Sequence, residues 1–119
     1  MKKVLPLLII VLLAFAGCQR GPATYEITDN PHEVAINAEK FVKQVSKLSR
    51  HYSTEDWDAA LEQFVHMSKN HLDLAPQMTQ EEQMRCDNAR LQFMGAIDAN
   101  GSEDLAIRVK EIYSNLLGQ

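Results

Sequence analysis

An aspartate, a glutamate and a histidine recur at four-residue intervals in the middle of the chain, at Asp58, Glu62 and His66. On a helix this spacing puts the three side chains in one row, and a carboxylate beside an imidazole can act as an acid–base pair inside an enclosed pocket. The row lies off the neighbouring apolar stripe. We therefore expect an exposed strip with a weak attraction between Glu62 and His66, and hydrolysis is only a minor hypothesis.

The histidine spacing is poor for metal binding. His66 and His71 are five residues apart, which on a helix at about 100° per residue separates them by about 140°. Zinc sites on a helix use histidines at i and i+4 with an acid nearby. His32 and His51 lie at opposite ends of the first predicted helix. The sequence thus predicts solvated histidines and no metal site.

Soft sulfur ligands are also present, and an exported protein can encounter copper. None of the methionines concerned is three or four residues from another, so we interpret them as fillers of irregular core gaps or as lining of a partner groove. Cys86 falls inside a predicted helix, where a small buried core residue is favoured over a reactive thiol. The methionines are Met67, Met78, Met84 and Met94.

Sequence motifs for other reactions are missing. The chain has no glycine-rich phosphate loop, no G-x-S-x-G elbow and no cysteine with a plausible base nearby. Catalytic sites can be assembled from distant residues, but only five glycines are present and no long loop looks functional. We therefore assign no catalytic residue and no cofactor, and an enzyme is the less favoured class.

The first eighteen residues have the layout of an export signal. Met1 to Lys3 is cationic, the stretch 4–16 is apolar apart from Pro6, and Gly17 and Cys18 follow. A membrane-spanning helix needs about 20 apolar residues, and this run is too short. The sequence predicts a signal peptide over residues 1–17.

The segment Phe15-Ala16-Gly17-Cys18 resembles the lipobox of bacterial lipoproteins. Phe15 stands where leucine is the commonest residue of that motif. The resemblance implies that Cys18 becomes the mature N-terminus and carries acyl chains such as palmitate. Two or more chains hold a domain stably on a bilayer, so the expected partner of Cys18 is the membrane itself.

Net charge excludes one class of partner. Cleavage after residue 17 removes Lys2 and Lys3, which leaves ten basic and sixteen acidic side chains and a net charge of −6. An acidic protein without a basic patch repels phosphate backbones and anionic lipid. We expect no nucleic acid partner, and membrane attachment must come from the lipid on Cys18. Cys86 is then left without a cysteine partner.

The mature chain divides into a linker and one domain. Residues 18–29 contain the lipidated cysteine and a Gly21-Pro22 pair but no helical stripe, so we interpret them as a flexible tether. A tether of this length reaches up to about 40 Å. Residues 30–119 form the predicted domain.

Four segments of this domain begin with a residue that can cap a helix. Asn30 precedes Pro31 and has Glu33 at the third helical position to complete a capping box. Thr79 has Glu82 as its reciprocal partner, and the third helix is expected to end at Asn100-Gly101 in a left-handed cap. The other two starts are at Ser53 or Thr54 and at Ser102.

Apolar residues recur at helical spacing in all four segments, and no segment alternates with period two. The predicted fold is all-α, a small antiparallel three- to four-helix bundle preceded by a signal peptide and a flexible tether. The last helix either completes a four-helix core or lies across three. The expected inward-facing residues are Val34, Ala38, Phe41, Val45, Leu48 and Tyr52, then Trp57, Leu61, Phe64, Val65 and Ser68, then Cys86, Ala89, Phe93, Ala96 and Ile97, and finally Leu105, Val109, Ile112 and Leu116.

Together with the lipobox, the stretches from Tyr52 to Trp57 and from Thr79 to Glu82 resemble the small helical lipoproteins of unknown function found in gut Bacteroidales. The resemblance implies an outer-membrane location facing the periplasm and transfers a role only to Cys18. We expect an interaction or structural module whose second partner is another envelope protein. The alternative is a periplasmic helical protein that binds a small ligand or a metal.

Overall fold

The computed structural model describes residues 22–118, and within that range the chain forms four α-helices and no β-strand. The predicted all-α bundle is therefore confirmed. Short 3₁₀ turns, Ser49–His51 and Ala75–Gln77, follow the first two helices. The helices are α1 (Pro31–Leu48), α2 (Thr54–Leu74), α3 (Gln80–Asn100) and α4 (Glu103–Leu117).

A side-chain cap begins every helix. Ser53 and Thr79 each form a complete capping box with the acid at the third helical position, so α2 and α3 have reciprocal hydrogen bonds at their starts. Ser102 caps α4 through the Leu105 amide. Asn30 caps α1 by accepting a hydrogen bond from the His32 amide.

The predicted capping box of α1 is wrong. Glu33 accepts a hydrogen bond from the hydroxyl of Thr28 at 2.9 Å, and the same hydroxyl accepts one from the Asn30 amide at 3.0 Å. The Thr28 hydroxyl therefore bonds both groups that a capping box would have joined directly, the Glu33 carboxylate and the Asn30 amide. The chain before α1 is thereby joined to the first turn of the helix.

The end of α3 also differs from the expectation. Gly101 has φ −98° and ψ −155°, and no residue in the described range has a positive φ. The helix therefore ends in extended backbone rather than in a left-handed cap. Glycine is still required sterically, because a Cβ at Gly101 would lie 2.9 Å from the carbonyl oxygen of Ile97.

The bundle is organised around α3. Helix α1 packs most extensively on α3 and also on α2, and α4 packs on α2 and α3. Leu105 and Val109 of α4 belong to the main core cluster. The last helix thus completes a four-helix core.

Phe93 of α3 lies at the centre of that core. Its ring stacks on Phe64 of α2 at 4.7 Å and on Phe41 of α1 at 5.7 Å between centroids. It also meets the Trp57 ring edge-on at 6.4 Å. One fully buried side chain therefore holds three helices together.

The structure differs from the tether prediction over residues 22–29. Ala23 and Tyr25 are only 4% and 5% exposed, and the Tyr25 ring packs edge-on against Phe41. The Ala23 amide donates a hydrogen bond to the Tyr52 hydroxyl at 3.1 Å, and the Tyr25 amide donates one to Gln63 Oε1 at 2.8 Å. This segment is part of the fold.

Asn70 fixes the far end of the same segment. Its Oδ1 accepts hydrogen bonds from the Tyr25 hydroxyl at 2.7 Å and from the Thr28 amide at 3.0 Å. Its Nδ2 donates to the Thr28 carbonyl at 2.9 Å. Asn70 is itself buried, so these bonds satisfy a polar side chain that would otherwise destabilise the core.

Candidate functional site

A small cavity lies between α2 and α3, at the side of the main core. Met67, Ser68 and His71 line it from one face of α2, and Cys86 and Arg90 line it from successive turns of α3. Its volume is about 10 Å³, about that of one water-sized sphere. Among the described residues it is the place where an imidazole, a thiol and a thioether meet.

His71 departs most clearly from the expectation that every histidine is solvated. Its side chain is only 7% exposed, and none of the hydrogen bonds within residues 22–118 involves it. Burial lowers the pKa of the imidazole, the Asp87 carboxylate opposes this effect and the Arg90 guanidinium adds to it. The ring is therefore uncharged at neutral pH.

A helical spacing signal could have identified this burial. His71 follows Phe64 and Met67 at steps of three and four, so it continues the apolar stripe of α2 by one more turn. The expectation of a solvated ring came only from the separation between His71 and His66. The spacing that predicts burial of His71 is its distance from Met67, not its distance from His66.

The thiol of Cys86 is 3% exposed, which confirms the prediction of a buried core cysteine. Burial, together with the carboxylates of Asp87 and Glu39, raises its pKa to about 12. The group therefore stays protonated at neutral pH. This environment does not suit a catalytic nucleophile.

Ser68 adds an unsatisfied polar atom to the cavity wall. Its Oγ is buried and has no hydrogen-bond partner among the described residues. Most buried hydroxyls do have one, because leaving a hydroxyl unpaired costs about 1–3 kcal/mol. The cavity wall thus has free capacity for a polar or charged guest.

The charge of Arg90 is balanced locally. Its Nη1 donates a hydrogen bond to Asp87 Oδ1 at 3.0 Å, and its guanidinium carbon lies 4.2 Å from the centroid of the Tyr113 ring. The ion pair and the cation–π contact hold this side chain in place. Arg90 closes the cavity toward α4 without presenting an uncompensated positive charge to it.

The acid–base row predicted at Asp58, Glu62 and His66 is not enclosed. Asp58 and Glu62 are exposed and His66 is half-buried. Asp58 accepts a hydrogen bond from Arg108 of α4 at 3.1 Å, and no hydrogen bond joins members of the row within the described residues. The expected exposure is confirmed for Asp58 and Glu62 but not for His66, and the arrangement gives the hydrolytic hypothesis no support.

Two other histidines lie away from the cavity. The imidazole of His32 is mostly exposed and lies 2.9 Å from a carboxylate oxygen of Glu82, which connects the starts of α1 and α3. The amide of Thr79 and the His32 ring lower the pKa of Glu82. His51 is exposed in the turn after α1. Across residues 22–118, no three His, Cys, Asp or Glu side chains form a metal-binding group.

The methionines divide between core and surface. Met67 and Met78 are buried, Met94 is partly buried, and Met84 is 58% exposed. Met67 packs in the main core, as the gap-filling interpretation predicted.

A surface groove runs between α3 and α4. It has a volume of about 290 Å³ and includes the 60%-exposed side chain of Leu91. Gly95 also lines the groove and is exposed, and a Cβ built there meets no atom within 4 Å. The lining residues are Leu91, Met94, Gly95 and Asp98 of α3 and Ala106, Val109 and Lys110 of α4.

The predicted signal peptide and lipidated Cys18 lie outside the described residues. Between Pro22 and Gly118, no helix has the length and apolarity needed to cross a membrane.

Comparison of the chain with protein-family models, with curated proteins and with solved structures gave no match.

Proposed function

We propose that the chain is an envelope lipoprotein, anchored by acyl chains on Cys18, whose helical domain binds another protein of the envelope. The observation that best supports the anchor is the lipobox-like segment Phe15-Ala16-Gly17-Cys18, and the packing of residues 22–29 onto the bundle limits how far such an anchor lets the domain move. Cys18 precedes the packed chain by only four residues, a distance of at most about 14 Å. An anchor on Cys18 would therefore keep the domain close to the lipid surface.

The point where the chain enters the fold also gives the domain an orientation. The Ala23 amide binds Tyr52 beside the turn between α1 and α2, and Asn100 at the end of α3 donates a hydrogen bond to Ser49 in the same turn. In the anchored protein this end faces the lipid. The opposite end, where Leu116 of α4 lies near Leu72 of α2, faces away from it.

The groove between α3 and α4 is the surface we assign to the protein partner. It runs along the side of the bundle, and it combines exposed Leu91 with the open space above Gly95. A projecting apolar ridge, such as one face of a helix, fits a groove of this kind. We expect an apolar contact there, with Asp98 and Lys110 available to pair with charges of the partner.

Metabolic labelling with a palmitate analogue in a bacterial host tests the anchor. The chain has two cysteines, so Cys86 is a matched control for Cys18. Cys18→Ser should abolish labelling and leave the precursor uncleaved. Cys86→Ser should leave labelling and membrane fractionation unchanged. Labelling that survives Cys18→Ser would overturn the proposed anchor.

Protease treatment of intact cells tests the proposed location. A domain that faces the periplasm from the outer membrane should resist added protease until the outer membrane is permeabilised. Digestion in intact cells would place the domain on the cell surface and contradict this part of the proposal.

Site-specific photocrosslinking in native membranes tests the partner. A photoreactive residue at Leu91 should give one discrete adduct, and the same residue at exposed Lys43 of α1 should not. Gly95→Arg should remove the Leu91 adduct without unfolding the domain, because the added side chain enters open space. Equal adducts from both positions, or an adduct that survives Gly95→Arg, would contradict a partner in this groove.

Metal binding is the second candidate function, and it is favoured by the donors around the cavity between α2 and α3.

A further inference from the structure

Three soft donors surround the cavity between α2 and α3. Met67 and His71 are one helical turn apart on α2, which puts the thioether and the imidazole on one face. Cys86 approaches from α3. All three residues are more than nine-tenths buried, so their side chains have little contact with bulk solvent.

The polar atoms of this wall are available to a guest. Ser68 Oγ is buried and unpartnered. The ring nitrogens of His71 make no hydrogen bond within the described residues, and they keep some contact with solvent because they are not among its buried unpartnered atoms. Buried polar atoms normally have a partner because an unpaired one destabilises the folded state. A guest that binds the imidazole and lies beside the hydroxyl would provide one.

The size of the cavity restricts the guest to about one atom. A volume of about 10 Å³ matches one water-sized sphere and excludes phosphate, carboxylate and organic ligands. A monatomic ion or a single water remains.

The chemistry of the donors selects among ions. Thiolate and thioether sulfur prefer soft Cu(I), and imidazole is compatible with it, whereas Mg²⁺ and Ca²⁺ require oxygen ligands. Structural zinc sites use four His, Cys or acidic ligands. Here only His71 and Cys86 are of those types among the residues lining the cavity, and Cu(I) accepts two or three ligands.

We propose that Met67, His71 and Cys86 form a binding site for a single Cu(I) ion. The Cys86 thiol releases its proton to solvent as the sulfur–copper bond forms, the Met67 sulfur and an imidazole nitrogen of His71 donate lone pairs, and copper stays in the +1 state. Thiolate and Cu(I) together carry no net charge. A neutral centre is compatible with burial, and Arg90 remains paired with Asp87.

Anaerobic titration with Cu(I) against a chromophoric Cu(I) chelator tests the site. The full chain carrying Cys18→Ala, in detergent, leaves Cys86 as the one thiol. We expect one Cu(I) per chain and a higher unfolding temperature in its presence. X-ray absorption at the copper edge should show both sulfur and nitrogen neighbours.

Conservative variants separate this site from adventitious thiol binding. Met67→Leu and His71→Gln should each weaken Cu(I) binding by at least about tenfold, since even residues outside the ligand set change metal affinity by about 10–100-fold. Cys86→Ser should abolish stoichiometric binding. Met84→Leu, at an exposed position of α3, should change nothing. Circular dichroism of each apo variant establishes that it is folded.

Two results would overturn the proposal. Failure of the folded parent to bind one equivalent of Cu(I) would leave a buried water as the guest. Binding that depends on Cys86 but is unchanged in both Met67→Leu and His71→Gln would be coordination by a lone thiol. Neither result bears on the lipid anchor or on the groove between α3 and α4.

Discussion

The hydroxyl of Tyr25 donates a hydrogen bond of 2.7 Å to the side-chain oxygen of Asn70, forty-five residues further along the chain. Both side chains are buried. The pair joins the segment before α1 to the last turns of α2. Burial raises the pKa of Tyr25, which keeps the hydroxyl protonated and able to donate.

Tyr25→Phe tests this bond. We expect the free energy of unfolding in urea to fall by about 1 kcal/mol, because the Asn70 oxygen keeps its bond from the Thr28 amide and only one hydrogen bond is lost. Tyr113→Phe is the matched control, since the Tyr113 hydroxyl makes no hydrogen bond within the described residues. Equal effects of the two substitutions would show that the Tyr25–Asn70 bond adds nothing to stability.

Phe93→Ala should destabilise the domain strongly. Removing the ring that joins α1, α2 and α3 is expected to cost about 3–5 kcal/mol of unfolding free energy. Leu91→Ala, two residues away and 60% exposed, should change it by less than about 0.5 kcal/mol. Denaturant unfolding of both variants checks the contrast, and a loss below about 2 kcal/mol for Phe93→Ala would contradict the central role of this ring.

Substitution by alanine should change the stability of the domain in opposite directions at Gly95, inside α3, and at Gly101, directly after it. Gly95 lies in the helix with open space around it, so Gly95→Ala should stabilise the domain by about 0.5–1 kcal/mol. Gly101→Ala places a methyl group 2.9 Å from the carbonyl oxygen of Ile97 and should destabilise it by about 1–3 kcal/mol. Thermal unfolding measures both, and shifts of the same sign would contradict the geometry at Gly101.

The stability of the metal-free protein should depend on pH through His71. Its pKa is lowered in the fold and returns to about 6.5 on unfolding. Below pH 6.5, His71 binds a proton in the unfolded chain but stays mostly unprotonated in the folded one. Unfolding free energy should therefore fall, by up to about 1.4 kcal/mol per pH unit, as the pH drops from 6.5 toward the folded pKa.

His71→Gln should remove this slope, and the same substitution at exposed His51 should not. Urea unfolding between about pH 5 and pH 8 provides the measurement. The carboxylates of Glu39 and Glu82 have lowered pKa values, so their contribution is lost only below pH 4.5 and falls outside this window. A slope that persists in His71→Gln would rule out His71 as its source.

Features set by neighbouring residues could be predicted from the sequence. The box between Thr79 and Glu82 forms as expected because both partners lie within one helical turn. The stripe from Cys86 to Ile97 is buried as expected, because helical spacing puts its residues on one face of α3. The box at Asn30 failed because Thr28, which lies before the helix, provided a competing hydroxyl for Glu33.

Features that depend on distant partners could not be predicted. The segment at Ala23 and Tyr25 has little apolar pattern of its own, and its partners Tyr52, Gln63 and Asn70 follow 29 to 45 residues later. The candidate cavity likewise depends on how α2 and α3 are aligned. Spacing within α2 could reveal that His71 is buried, but not that Cys86 lies across from it.

The packing of residues 22–29 onto the bundle also shortens the chain that would link Cys18 to the domain. With residues 22–29 docked, a lipid on Cys18 would be linked to the bundle by at most about 14 Å of chain. Undocking would release those eight residues and let the bundle move up to about 40 Å from the lipid, up to the cap at Asn30. The hydrogen bonds between Tyr25, Thr28 and Asn70 would then determine how far from the lipid the domain can extend.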